Sequence, residues 1–327
     1  MSKKYLITGG LGFLGAALAR AQVHAGHTVR IFDNGSRGAN RRLGDAADSV
    51  EVINGDIRDP EIVKRALKSM DAVCHLAFVN GTRFFYERPA YVLEVGVKGM
   101  MNVLDGCLAQ GIGELILASS SEVYQTPPVV PTSEEVPLVV PDPHNPRFSY
   151  GGGKIISELL AINYGRADIE RVVIFRPHNV YGPDMGWEHV IPEMILRMRE
   201  LASNTSDTIQ FPIQGTGEET RAFIHIDDFT DGLMRVIAQG EHLGIYHIGT
   251  QDEVTVATVA REIGRFFGRE ISIVPGELRA GGTQRRCPDI SKLETLGFSP
   301  KVALTDGIAL TSTWYDQYAD KRPVQHI

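Results

Sequence analysis

The sequence is short of cysteine, of charge of one sign and of long apolar runs, and each shortage excludes something. Its three cysteines, Cys74, Cys107 and Cys287, stand alone, odd in number and without a C-x-x-C pair. They are read as buried thiols in a reducing compartment, not as a disulfide framework or a metal centre, and no metal ligands are expected. No apolar run approaches the roughly 20 residues of a membrane-spanning helix. The opening MSKKYLITGG holds none long enough for a signal peptide. A cytoplasmic protein without membrane contact is the expectation. Lysine and arginine number 33 against 40 acidic residues, a net charge of −7, with both signs mixed along the chain. A nucleic-acid footprint needs a concentrated basic face, so no nucleic-acid partner is expected. Phosphate ligands stay open, because a few local arginines suffice for them. Repeats and low-complexity tracts are also missing. What remains is 327 residues, 43% hydrophobic and 22% charged, enough to bury a core without crosslinks.

The stretch around which the chain is organised is its start, Lys3 to Gly15, reading KKYLITGGLGFLG. Tyr5, Leu6 and Ile7 suit the first strand of a buried parallel sheet. Thr8-Gly9-Gly10 turns the chain, and Leu11 to Ala25 continues as a helix. Gly9, Gly12 and Gly15 meet three needs of a bound dinucleotide: a tight bend, close backbone approach to a pyrophosphate, and close packing of helix on strand. The helix start, with Phe13 and Leu14, faces the anion with free N–H groups. The spacing is G-x-x-G-x-x-G, not the commoner G-x-G-x-x-G.

Thr28 to Phe32 is the second strand, ending in Asp33, 18 residues beyond Gly15. An acid there binds an adenosine ribose in such folds, or serves as a strand-end turn residue. Asp33-Asn34 favours NAD, since a carboxylate repels the 2′-phosphate of NADP, although Arg37 is near enough to pair with one. Val50 to Asn54 is the third strand. Asp56 and Ile57 follow, with Asp56 read either as acceptor for an adenine amino group or as cap of the helix from Pro60. Ala72 to Leu76 is the fourth strand, with Ala77 at its carboxyl end, and Leu76 and Ala77 complete the expected cofactor contacts. His75 is read as a satisfied core residue. Residues 89–110 have a helical pattern, and Glu114 to Ala118 is the fifth strand. A proline-rich loop spans Pro127 to Pro146. A helix from Ser149 to Gly165 and a strand from Arg171 to Phe175 follow, and then shorter pieces. The fold class is α/β: a doubly wound parallel Rossmann-type sheet with a smaller α/β substrate-binding lobe. The expected division is residues 1–176 for the cofactor and 177–327 for the lobe, partly interleaved.

The fifth strand runs into Ser119-Ser120-Ser121-Glu122, where an open sheet presents groups to its ligand. About thirty residues later, Tyr150 and Lys154 lie four apart at a helix start, on one face. A free tyrosine ionises near pH 10. A neighbouring ammonium and the positive ring of an oxidised nicotinamide favour its phenolate. Such a phenolate can take a proton from a sugar hydroxyl as hydride leaves the same carbon. Ser120 is assigned to orient it.

Together, Thr8-Gly9-Gly10-x-Gly12-x-x-Gly15, Asp33-Asn34, Gly55-Asp56, Ser119-Ser120-Ser121 and Tyr150-x-x-x-Lys154 resemble the extended short-chain dehydrogenase/reductase family. The resemblance covers nearly the whole chain and implies an NAD-dependent nucleotide-sugar epimerase or dehydratase. Such enzymes work through a transient 4-keto sugar, with Tyr150 as base and NAD recycled. It also implies a homodimer joined by a four-helix bundle, here residues 89–110 and 149–165. Arg176 to Pro183 is similar to the segment that opens the substrate lobe and carries Asn179. Thr220 to Asp228 and Arg286 to Lys292 resemble segments whose arginines, Arg221 and Arg286, meet the diphosphate. With Ser121 these are the expected substrate contacts, and guanidinium forks suit that charge.

Glu122 separates reactions within the family. An acid at this position moves the C5 proton in relatives that eliminate water, and decarboxylases of nucleotide-linked uronic acids carry a similar Ser-Glu pair. Glu122 also has a structural reading, as a bond to the proline-rich loop. A nucleotide-uronate decarboxylase and a simple carbonyl reductase are therefore the enzymatic alternatives. A non-catalytic cofactor-sensing or RNA-binding relative is the alternative of another class. Two departures from the family pattern stand out: Asp184 where arginine is common, and the triple glycine 151–153, expected to loosen its helical turn.

Overall fold

The structure, a computed structural model, describes residues 2–203, 208–277 and 283–322. Six strands arise in the order expected: β1 (Lys4–Thr8), β2 (Thr28–Asp33), β3 (Val50–Asn54), β4 (Ala72–His75), β5 (Glu114–Ala118) and β6 (Arg171–Pro177). A seventh, Gly244–Ile248, adds beside β6. The sheet order is Gly244–Ile248, β6, β5, β4, β1, β2, β3, with every pair parallel. β4 and β5 are buried along their length, and β1 is buried from Tyr5 onward, because helices cover both faces. The chain steps outward from β1 in one direction through β3 and in the other from β4. The carboxyl ends of β1 and β4 therefore flank a topological switch point, which opens a crevice.

On one face, α1 (Phe13–His24) and the helix Ile226–Gln239 bury Ala16, Ala17, Phe229, Leu233 and Val236 against the sheet. On the other, the helices Pro60–Leu67, Gly99–Gln110 and Ser149–Ala167 bury Val63, Leu67, Val103, Leu104 and Ala161. A third core gathers Tyr181, Ile195, Phe211, Ile263 and Tyr315 from the later part of the chain. There Thr208–Pro212 pairs with Glu270–Val274, and Thr220–Ala222 lies between Glu253–Thr255 and Arg285–Arg286.

The helical pattern of residues 89–110 is divided into Pro89–Leu93, a π turn at Glu94–Lys98, and Gly99–Gln110. Gly96 lies in that π turn, and a Cβ there would overlap the Phe78 ring. The helix Ser149–Ala167 is continuous through its three glycines, contrary to the expected loosening. A Cβ on Gly151 would sit 2.9 Å from the Glu122 carbonyl oxygen, and one on Gly153 would sit 3.0 Å from the Phe78 ring. The glycines let the helix start close in on the turn after β5. The proline-rich loop is pinned to a distant strand end: Thr132 N donates to Cys287 O at 2.9 Å, and Asp289 N to Thr132 O at 2.7 Å. Cys74, Cys107 and Cys287 are all buried. Among the described residues no helix is long and apolar enough to cross a membrane.

Candidate active site

Two adjoining cavities open at the carboxyl ends of the strands, of about 470 and 140 Å3. Gly9 and Gly12 line both. Gly9 adopts φ +70° and donates its N–H to Phe32 O at 2.8 Å, which fastens the turn to β2. A Cβ on Gly12 would lie 3.1 Å from Gly9 O, and one on Gly15 would overlap that same oxygen. Gly12 precedes α1 with no capping side chain. Phe13, Leu14 and Gly15 also line the larger cavity, so the start of α1 borders it. This cradle fits a pyrophosphate and has no room for side chains.

Asp33, Asn34, Asp56, Ile57, Leu76 and Ala77 line the smaller cavity. Asp33 accepts from Leu11 N at 3.0 Å and Gly35 N at 2.8 Å, which holds its carboxylate at the rim. Asp56 does not cap the next helix. Asp59 does, accepting from Glu61 N and Ile62 N. Asp56 is held by Arg58, whose hydrogen bonds keep its carboxyl below the usual range. Arg37 does not pair with Asp33. Its guanidinium lies over the Phe84 ring and borders both cavities. His75 is a satisfied core residue, with Nδ1 2.7 Å from Thr8 Oγ1, and burial pushes its pKa down to about 3.

The larger cavity brings together Ser120, Ser121, Glu122, Tyr150, Lys154, Asn179 and Arg286. Tyr150 is 7% exposed, stacked on Phe85 at 5.0 Å and edge-on to Phe78 at 5.1 Å. Burial raises its pKa to about 12, and a hydrogen bond with Ser120 works in the opposite direction. Ser120 also caps the turn Ser121–Tyr124, accepting from Glu122 N at 3.2 Å. Lys154 donates to Ala118 O at 2.7 Å and lies 4.1 Å from the Phe78 centroid and 5.8 Å from that of Tyr150. Burial pulls its pKa down to about 7.

Glu122 bonds Arg286, not the proline-rich loop. Burial opposes its ionisation, but Arg286, Arg147 and Arg221 outweigh that and hold its carboxyl below the usual value. Asn179, at φ +41°, donates to Ala222 O at 2.9 Å and lines the cavity. Arg221 does not line it. Its guanidinium serves the carbonyls of Thr220, Thr283 and Gln284. Asp184 is bonded to Arg41 at 2.7 Å and Arg42 at 3.2 Å, tying the loop after β2 to the later lobe.

Several neighbours escaped the sequence reading. Phe78 and Phe85, which clamp Tyr150, carry no motif. Glu158 is legible only as the acid four residues after Lys154. It takes a bidentate bond from buried Arg176 at 2.6 and 2.8 Å and a hydrogen bond from Ser119, bracing the end of β5 from behind. Arg147 stands three residues before Tyr150 and also lines the larger cavity.

Residues 5–249 match the model of the NAD dependent epimerase/dehydratase family. The chain is 31% identical to the UDP-N-acetyl-alpha-D-glucosaminuronate decarboxylase of Bacillus cytotoxicus, over 96% of this chain and 98% of that one. It is 29% identical to the dTDP-glucose 4,6-dehydratase of Streptomyces niveus, over 95% and 92%. Among solved structures it superposes on the dTDP-glucose 4,6-dehydratase of Streptomyces venezuelae, which has NAD and TYD bound. That match has a TM-score of 0.83 and 29% identity, covering 97% and 98% of the two chains. With the UDP-glucose 4-epimerase of Thermotoga maritima the TM-score is 0.84 at 25% identity, covering 97% and 99%. By these matches the chain belongs to the NAD dependent epimerase/dehydratase family and is an NAD-dependent enzyme of that type.

Proposed function

We propose that the protein binds a nucleotide-diphosphate sugar in the larger cavity and oxidises it at C4, with Tyr150 as the base. The observation that carries this is the gathering of Tyr150, Ser120 and Lys154 on the wall of the cavity that begins at the glycine turn. Gly9, Gly12 and the start of α1 would hold the pyrophosphate of NAD, with Asp33 on the adenosine ribose and Asp56, Ile57, Leu76 and Ala77 along the adenosine half. NAD supplies acceptance of a hydride from the sugar carbon and its later return. Tyr150 takes the hydroxyl proton, Ser120 orients the phenol, and Lys154, where it holds its proton, favours the phenolate. Phe78 and Phe85 keep bulk water from the ring.

Glu122, kept ionised by Arg286, is a proton acceptor at neutral pH, suited to move a proton at the carbon beside the new ketone. This supports a reaction in which the keto sugar is processed further. Asn179, Ser121 and Arg286 face the sugar nucleotide from the other wall. In this reading residues 1–176 hold the cofactor and 177–327 supply the nucleotide-sugar lobe. Leu93, Leu108, Ile156 and Leu159 are 37 to 56% exposed on the helices of residues 89–110 and 149–167. They support a homodimer joined through a four-helix bundle.

The test is incubation with UDP-, dTDP-, GDP- and CDP-sugars, with products identified by mass spectrometry and NMR. A stereoisomer, a 4-keto-6-deoxy sugar or a shortened sugar supports the reading, provided no net reduced cofactor accumulates. Full turnover by Tyr150→Phe would sink it.

A further inference from the structure

The larger cavity holds more positive charge than a diphosphate requires, and one of those charges sits at the reacting end. Arg286 is committed to Glu122, Arg42 to Asp184, and Lys154 to the Ala118 carbonyl. Arg147 differs from them. It lies on the short turn Pro146–Phe148 that leads into the Tyr150 helix, its backbone N–H fixed by Asn145 Oδ1 at 3.0 Å. Its side chain lines the cavity and its Nε, like that of Arg286, is buried without a hydrogen-bond partner, yet among the described residues it alone of these four has neither an ion pair nor a side-chain hydrogen bond. A guanidinium left in that state is waiting for an acceptor from outside the chain.

Position decides which acceptor. Arg147 is three residues before Tyr150, and its charge reaches Glu122, which itself interacts with the Tyr150 phenol. In a hexose bound with C4 at Tyr150, the diphosphate on C1 lies across the ring, whereas C5 and C6 lie beside the reacting carbon. Arg37, the other cavity guanidinium without an ion pair among the described residues, borders both cavities next to the glycine turn and suits a phosphate there.

We infer that Arg147 is a receptor for a carboxylate at C6 of the sugar, so that the substrate is a nucleotide-linked uronic acid. This inference rests on the function proposed above. Oxidation at C4 makes such a substrate a β-keto acid. The C5–C6 bond then breaks, carbon dioxide leaves, and the electron pair remains as an enolate over C5 and O4. C5 takes up a proton, and reduction at C4 restores the alcohol. The net change is uronate plus one proton giving pentose plus carbon dioxide, with no external oxidant.

The experiment pairs glucose with glucuronate on each of UDP, dTDP, GDP and CDP, using the wild type, Arg147→Gln and Arg147→Lys. Carbon dioxide release and kcat/KM are measured, with binding of the free nucleoside diphosphate by calorimetry. The wild type is expected to prefer the uronate of its nucleotide and to release one carbon dioxide per sugar consumed. Arg147→Gln should lower kcat/KM for the uronate by about 100-fold, the effect of losing a charged bidentate bond. Arg147→Lys should recover part of that loss, and the nucleoside diphosphate should bind both variants within about 3-fold of wild type. Turnover of glucose at least as efficient as that of glucuronate overturns the inference. So does an Arg147→Gln variant whose diphosphate binding falls with its turnover, which would put the guanidinium on the phosphates. Failure of every sugar nucleotide in the panel overturns the parent reading as well. Turnover of the neutral sugars alone leaves that reading standing and removes this one.

Discussion

Glu122 and Arg286, 164 positions apart in sequence, form an ion pair on the wall of the cavity that contains Tyr150. One comes from the turn after β5 and the other from a two-residue strand of the later lobe, so the pair joins the two halves of the site. Both side chains are largely buried, at 28% and 10% exposure. Removing Arg286 leaves a carboxylate with little water. Arg286→Ala is expected to cost about 2–4 kcal/mol of stability, less for the double variant with Glu122→Gln. A double-mutant cycle by urea unfolding measures the coupling. The folded carboxyl lies below its ordinary value of 4.5. The contribution of the pair is therefore complete above that pH and lost as pH falls through the folded value.

Tyr150→Phe removes one oxygen and keeps the ring between Phe78 and Phe85. Turnover should fall at least about 1,000-fold, within the usual weight of a positioned general base, while NAD affinity and melting temperature stay close to wild type. Kinetics beside an NAD titration check this. A parallel loss of NAD binding would place the phenol in binding and not in chemistry.

Lys154 leaves its own mark on stability. Its pKa in the folded, ligand-free protein is about 7, against 10.5 ordinarily. Between those values the unfolded chain holds a proton that the native one has released, so stability rises with pH across that window. Below about pH 7 both states are protonated and the burial cost is present in full. Lys154→Met should remove this slope. Urea unfolding of both proteins at pH 7 and pH 9 checks it, and an unchanged difference between them would contradict the burial argument.

Gly15→Ala is expected to abolish NAD binding, because the new methyl overlaps the carbonyl oxygen of Gly9 and forces the turn open. Gly26→Ala has open space around its Cβ but a φ of +82°. It should cost about 1 kcal/mol from backbone strain and leave NAD binding intact. Cofactor fluorescence titrations separate the two.

Leu159 is 56% exposed on the helix that carries Tyr150. Leu159→Glu should convert a dimer to a monomer in analytical ultracentrifugation. A wild-type protein that sediments as a monomer at micromolar concentration would end the four-helix-bundle proposal.

Much of this protein was legible in the amino-acid sequence, because the deciding features are local. Apolar runs of four to six residues with helices between them determine a parallel sheet wherever they close into a fold. Three glycines spaced by three determine a turn that no side chain can fill, and four residues from Tyr150 to Lys154 determine a shared helical face. Only the tertiary structure decided which charges meet. Glu122 had a claim on the proline-rich loop and took Arg286. Arg221 had the stronger claim on a diphosphate and Arg286 the weaker, yet Arg221 turns to backbone carbonyls and Arg286 lines the cavity. Asp184, odd by its motif, is bonded to two arginines that precede it by 143 and 142 positions. The strength of a charge depends on burial and on which opposite charge lies within a few ångströms. Both are properties of packing between distant segments, and sequence spacing carries no measure of either.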